Sequence, residues 1–225
     1  MPVVIELVGL PGSGKTTVLR ELLGADPRVA DKPVLRDAGY RLALAAGIGS
    51  ALATLVRHRA LRGRTRDHVV MMAYVQALPG VLSRPAFRDR IVVFDQGPIY
   101  FLARPALREE RLAPWRARML ERWRSRLDLV AFLEAPDAVL RERIDTRSGS
   151  HRIKGSADEP AVRFLTEARG VYEDALGRLE AGAAGPALLR LDTSRVSVDE
   201  TVARVLAAAD ARRSPQSSST TPFAR

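Results

Sequence analysis

Gly9-Leu10-Pro11-Gly12-Ser13-Gly14-Lys15-Thr16-Thr17 is the stretch that decides the fold of this 225-residue chain. It satisfies G-x-x-x-x-G-K-[ST] at every fixed position. Val3-Val4-Ile5-Glu6-Leu7-Val8 precedes it and reads as a strand buried on both faces. Val18-Leu19-Arg20-Glu21-Leu22-Leu23 follows it and reads as the first turns of a helix. In that setting the backbone N–H groups turn inward around a polyphosphate, and the helix N-terminus adds positive potential. Gly9, Pro11, Gly12, Ser13, Gly14, Lys15, Thr16 and Thr17 are therefore read as a nucleotide-binding loop. Lys15 reaches toward the β- and γ-phosphates, and Thr16 offers its hydroxyl to Mg²⁺, so ATP and Mg²⁺ are the expected cofactors. Only Lys15, Lys32 and Lys154 are lysine among 36 basic residues. A chain that otherwise uses arginine keeps a lysine in this loop, where a compact ammonium is needed rather than a planar fork.

Outward from the loop, apolar runs alternate with helical patterns, which implies a parallel sheet with crossover helices: a three-layer α/β/α fold with a helical, arginine-bearing lid. Pro33-Val34-Leu35-Arg36 reads as a short second strand, Arg90 to Asp95 as an interior strand, Leu129 to Leu133 as the next and Ala187 to Asp192 as the last. Helices are expected over Tyr40–Arg62, with Gly47 and Gly49 weakening the middle, and over Asp67–Leu82, with Pro79-Gly80 as a kink or early end. Further helices are expected over Pro114–Leu127, Pro136–Thr146, Pro160–Leu179 and Val198–Ala211. Trp115 and Trp123, eight residues apart on one helix, read as core. One domain is expected over residues 1–212, with its lid at about 141–159, and residues 213–225, rich in serine, threonine and proline, read as a disordered tail.

The composition excludes several classes. There is no cysteine, hence no disulfide, thiolate metal site or thiol nucleophile, and three histidines do not have the spacing of a zinc site. No apolar run is expected to span a membrane and no signal peptide is expected, which makes the cytoplasm the simplest location. The formal net charge of +10 suits anionic ligands. The basic run Arg57 to Arg66 lacks interleaved aromatic residues and reads as a solvated helix end, so nucleic acid is not an expected partner. The apolar helices between Tyr40 and Leu82 could also supply a homodimer face.

Asp95 ends a buried strand at the sheet edge where the loop also lies. It could hold Mg²⁺ through water, or take a proton from an acceptor hydroxyl. Arg143, Arg147 and Arg152 lie on or after the helix that opens at Pro136. There they could close over the transferred phosphoryl group, with Gly149 and Gly155 as hinges. Asp37, Tyr40, Arg41, Tyr74, Gln76 and Gln96, together with Tyr100, are the candidates for binding the acceptor.

Taken together, the loop, the strand ending at Asp95, and Asp128-Leu129-Val130-Ala131-Phe132-Leu133-Glu134-Ala135-Pro136 leading to Arg143 and Arg147 resemble the nucleoside monophosphate and deoxynucleoside kinases, thymidylate kinase in particular. The resemblance covers most of residues 1–210. It implies a phosphotransferase in which Asp95 is the base or the magnesium-linked acid and Arg143, Arg147 and Arg152 are lid arginines. It also implies that Thr193, in Asp192-Thr193-Ser194, lies near the adenine. The chain departs from that group at Gln96, where arginine usually follows the acid, and at Asp37, which Ala38-Gly39-Tyr40 follows instead of a proline-glycine pattern. The departures imply a small-molecule kinase of the same fold with a different acceptor: nucleoside, nucleotide or related metabolite. A regulatory or nucleic-acid-associated NTPase that hydrolyses ATP or GTP is the alternative.

Overall fold

Strand β1 (Val3–Gly9) is buried along its whole length and forms the middle of a five-stranded sheet. The computed structural model describes residues 1–32, 38–60, 65–148, 151, 153–181 and 185–213. The strands run β2 (Val29–Asp31), β3 (Ile91–Phe94), β1, β4 (Leu129–Glu134) and β5 (Ala187–Asp192) across the sheet, and every neighbouring pair is parallel. Side chains alternate along β1. Val3, Ile5 and Leu7 join one apolar cluster with helices α1 (Lys15–Ala25) and α8 (Val198–Arg213). Val4 and Val8 join the other, beneath α2 (Ala38–Arg57), α3 (Thr65–Leu82), α5 (Ala113–Arg124), α6 (Asp137–Thr146) and α7 (Asp158–Glu180). This is the expected three-layer α/β/α sandwich, in which a sheet buried on both faces carries near-continuous apolar strands.

Several elements differ from the sequence expectation for identifiable reasons. The second strand is Val29–Asp31, paired with Ile91–Val93, and it stops two residues before Pro33, a residue type that cannot donate to a ladder. The expected strand over 33–36 and the tail beyond 213 lie outside the described residues. Helix α2 runs unbroken through Gly47. A side chain there would bring its Cβ to 2.7 Å from the Ala73 carbonyl, so the glycine permits the close approach of α2 to α3. Helix α3 runs through Pro79 to Leu82 without ending. Proline lacks the N–H that would bond the Val75 carbonyl one turn earlier, and the indole N–H of Trp123 bonds that carbonyl instead, at 3.1 Å. Trp115 and Trp123 are both buried, as expected. A short helix, α4 (Pro98–Leu102), follows β3 directly; in the sequence it showed only as Pro98 at a first helical position. Contrary to the expectation that no run is long enough, Gly39–Arg57 in α2 has the length and mean hydropathy (1.4) to cross a membrane. Its Tyr40, Ala51 and Leu55 are buried in the core.

Because β1, β3 and β4 run in parallel, their carboxyl ends open on one edge, and the loops after them form the floor of a cleft.

Candidate active site

The loop between β1 and α1 has the backbone its glycines allow. Gly12 and Gly14 sit at φ 84° and 89°, where a side chain is strained, and a Cβ on Gly12 would lie 2.7 Å from the Leu140 carbonyl of α6. Gly14 is the N-cap of α1 and no side chain caps that helix, so its first N–H groups face the cleft. Lys15 Nζ donates to the carbonyls of Gly9 (2.7 Å) and Leu10 (2.9 Å) and to Ser13 Oγ (3.3 Å). Burial pushes its pKa down to about 8. The nearby Asp95 opposes that fall and Arg147 adds to it.

Asp95 stands just past β3. Its Oδ2 accepts from Thr16 Oγ1 at 3.4 Å, and its Oδ1 accepts from Lys32 Nζ at 2.5 Å. The two partners arrive from opposite sides, Thr16 from the β1 side and Lys32 from the end of β2. Lys32 carries no local motif that points to this role. Its signal was its rarity, and its partner lies 63 positions away.

Arg143 does not hang free in a lid. Its Nη1 donates to Thr193 Oγ1 (3.0 Å) and to the Gly12 carbonyl (3.3 Å), and its Nη2 donates to the Thr193 carbonyl (2.8 Å). Thr193 is in turn tied to the Glu134 carbonyl through its N–H (2.8 Å) and its hydroxyl (3.0 Å). Arg143 therefore joins the nucleotide loop, α6 and the turn after β5. Arg147 follows the end of α6 in extended backbone and lines the cleft, as does His151. Burial, and then the charges of Arg147 and Lys15, hold His151 below its usual pKa. Three cationic or basic groups thus crowd toward the loop, an arrangement that a polyanion would relieve. Arg141 pairs instead with Asp158 at the start of α7 (3.0 Å) and closes the chain between the two helices. Arg152 and Asp37 lie outside the described residues.

The cleft measures about 700 Å³ and takes in Asp95 and Gln96. Its size suits a small-molecule site, typically roughly 300–1,000 Å³. Tyr100, Arg104 and Arg108 line it from α4 and the segment after it, and Phe164, Glu167 and Tyr172 from α7, where Phe164 also meets His151 (ring centroids 5.8 Å apart). Except for Tyr100, these residues carried no sequence signal, because they converge only in the folded chain. Of the other expected acceptor residues, Arg41 is exposed. Tyr40 is buried against Tyr74 (ring centroids 6.4 Å apart) and burial raises its pKa to about 12. Tyr74 packs on Phe101 at 4.7 Å. Burial raises its pKa too, followed by Tyr40, Glu6, Asp31 and Asp95, which sets its hydroxyl near the same sheet edge. Tyr74 Oη and Gln76 Oε1 are buried without a hydrogen-bond partner among the described residues.

Beneath the site, Glu6 is fully buried in β1. Its carboxylate accepts from the N–H of Ile99 (2.9 Å) and of Tyr100 (2.8 Å), which holds the start of α4 against the sheet, next to Asp95 and Gln96. Burial pushes its pKa up to about 8, against the downward pull of the Ile99, Tyr100 and Gly97 backbone.

A divalent cation bound to a nucleotide's phosphates fits here. Among the described residues no trio of His, Cys, Asp or Glu is grouped to hold a metal alone, so the donors beside the phosphates would be Thr16 and Asp95.

A parallel sheet with a glycine loop after its middle strand, a lysine opening the next helix and an acid at the end of the adjacent strand defines a P-loop fold of the kinase-like kind. The chain belongs to the family described as AAA domain (AAA_33), whose model matches residues 4–168. No curated protein matches it by sequence. Among solved structures it is similar to the YorR protein of Bacillus subtilis in complex with phosphorylated GDP. That match has 15% identity and a TM-score of 0.53, and covers 94% of this chain and 98% of that one. It is also similar to deoxyadenosine kinase from M. mycoides with bound dATP, with 13% identity and a TM-score of 0.47, covering 92% of this chain and all of that one. The likeness to YorR is one of fold. The family match supports the P-loop kinase-like group and does not single out thymidylate kinases.

Proposed function

We propose that the protein is an ATP-dependent phosphotransferase that moves the γ-phosphate to a hydroxyl or phosphate oxygen of a small molecule. One observation carries this reading. The Lys15 loop and Asp95 line the same cleft, of about 700 Å³, as Tyr100, Arg104 and Arg108 and the α7 residues Phe164, Glu167 and Tyr172. We read the wall from α4 and α7 as the acceptor's, which a purely hydrolytic NTPase would not need.

In this reading the loop and the N-terminus of α1 hold the triphosphate, with Lys15 turning from its loop carbonyls to the β- and γ-oxygens. Arg143 fixes the wall near Thr193, and Arg147 faces the phosphates. Thr16 and Asp95 would hold Mg²⁺ beside the phosphates, where the ion would neutralise charge on their oxygens. The acceptor oxygen forms its bond to the γ-phosphorus as the bond to the bridging oxygen breaks, and the nucleoside diphosphate leaves with that electron pair. A hydroxyl acceptor releases its proton toward Asp95, whereas a phosphate oxygen has none to release. Arg147 and His151 exclude water, so that the phosphate passes to the acceptor.

The test is a screen for ADP formation with MgATP over nucleosides, nucleotides and other hydroxylated metabolites. Acceptor-dependent ADP release is expected. Asp95→Asn should lower kcat by roughly 100-fold or more while changing ATP affinity only a few-fold. Full turnover in that variant would remove Asp95 from the mechanism, and ADP release indifferent to every acceptor would favour hydrolysis.

A further inference from the structure

The cleft carries two arginines, Arg104 and Arg108, that the transfer chemistry does not use. Among the described residues neither pairs with a carboxylate. Elsewhere in the chain arginines commonly do: Arg28 with Asp26 and Asp210, Arg169 with Asp137, Arg178 with Asp174, Arg190 with Glu173. Arg104 is oriented by an aromatic ring instead. Its guanidinium lies 5.6 Å from the Tyr100 ring centre and its Nη1 is 3.4 Å from the Tyr100 hydroxyl. Its charge also reaches Tyr172 on α7. Arg108 adds a second charge, felt by Arg116 on α5. Among the described residues the lining of the cleft carries two carboxylates, Asp95 and Glu167, against Lys15, Arg104, Arg108, Arg143 and Arg147. The nucleotide's own charge is met by Lys15, Arg143, Arg147 and the start of α1. Lys32, the remaining nearby cation, is held by Asp95.

An arginine fork held over a ring beside a cleft is suited to two-point recognition of a phosphate or carboxylate. The same cleft has aromatic and apolar lining: Tyr100, Phe164, Val171 and Tyr172. We propose that the acceptor is an anion, a small molecule bearing a phosphate or carboxylate group that Arg104 and Arg108 bind while its apolar or ring portion lies between Tyr100 and Tyr172. This rests on the phosphotransferase reading and adds to it a class of acceptor. The chain has Gln96 next to Asp95, an uncharged side chain, so the positive charge for the acceptor is placed further along, at the end of α4 and the turn after it.

The experiment compares matched acceptors with the full chain and MgATP: a nucleoside against its 5′-monophosphate, glycerol against glycerol phosphate, and glycerol against glycerate. The first two pairs read phosphate and the third reads carboxylate. The same probes are titrated without ATP by calorimetry. At least one anionic member should exceed its uncharged partner by tenfold or more in kcat/KM, and should bind with an affinity that falls as salt rises. The double substitution Arg104→Ala, Arg108→Ala should raise the KM for that acceptor at least tenfold, remove the preference over the uncharged partner, and leave ATP affinity within twofold. Both arginines are exposed, so their removal should not disturb folding; an unchanged Tm checks this. Uncharged acceptors used as well as charged ones, or an anion preference untouched by the double substitution, would overturn the proposal and leave the phosphotransferase standing. Arginine-dependent anion binding without any transfer would keep this subsite and overturn the phosphotransferase. No anion binding in either format would overturn the subsite.

Discussion

Lys15 is the residue on which the electrostatics turn. Its ammonium is enclosed by the loop, and burial lowers its pKa to about 8. Triphosphate oxygens favour the charged form, so binding should raise that pKa and take up protons. The sign follows: affinity is constant where free Lys15 is already protonated and falls as pH climbs beyond 8. Calorimetry in two buffers of different ionisation enthalpy, at a pH well above the value of about 6 where a phosphate takes its last proton, should show proton uptake on ATP binding. No uptake would mean that Lys15 is already fully charged before ATP binds.

Glu6 gives a second pH dependence of different origin. Its carboxyl titrates at about 8 in the folded chain against an ordinary 4.5. Below 4.5 both folded and unfolded forms are protonated and there is no penalty. As pH rises toward 8 the unfolded form ionises first, so Glu6 makes the fold progressively less stable, by roughly a few kcal/mol at most at about 1.4 kcal/mol per pKa unit. In Glu6→Gln that slope should disappear. Urea melts at several pH values between 5 and 8 should show the wild type losing stability relative to Glu6→Gln as pH rises. Parallel curves would mean that Glu6 is not protonated in the fold.

At the scale of elements, α3 depends on a bond from outside itself. Pro79 cannot bond the Val75 carbonyl, and Trp123 on α5 does so at 3.1 Å. Trp123→Phe keeps an aromatic ring but orphans that carbonyl, and should cost about 1–3 kcal/mol. Restoring the backbone donor with Pro79→Ala should help the Phe variant more than the wild type, with a coupling of about 1 kcal/mol in the cycle. Strict additivity would show that Trp123 acts through packing alone. This compensation also explains why the helix could not be read in full from the sequence. Pro79-Gly80 carries the local chemistry of a break, and the donor that overrides it lies 48 positions from Val75. Gly47 is similar: its low helix propensity is local, and the approach of α3 that requires it is not.

Across the whole molecule, what was legible was what the chain encodes nearby. The Gly9–Thr17 run specifies its own loop. β1, β3 and β4 show as apolar runs because both faces of the sheet are covered, and β5, half-buried at the sheet edge, as one interrupted by Arg190. Asp95 was legible because a parallel sheet aligns the carboxyl ends of its strands. What was not legible depends on convergence. Lys32 meets Asp95 from an edge strand of only three residues. Arg104, Arg108, Phe164 and Tyr172 reach one cleft from segments about 60 residues apart in sequence, at no spacing that a motif would reveal. Arg143 is readable as a basic residue near a helix end, and only the folded chain joins it to Gly12 and Thr193.

The account rests on a triphosphate held by the backbone between β1 and α1, beside Asp95. Equilibrium titration of the full chain with labelled ATP, with and without Mg²⁺, tests this most directly when wild type is compared with Lys15→Ala. Saturable, Mg²⁺-dependent binding that the substitution reduces by at least an order of magnitude is the result expected. Wild-type protein with no Mg²⁺-dependent affinity for ATP, or affinity that survives in Lys15→Ala, would contradict it.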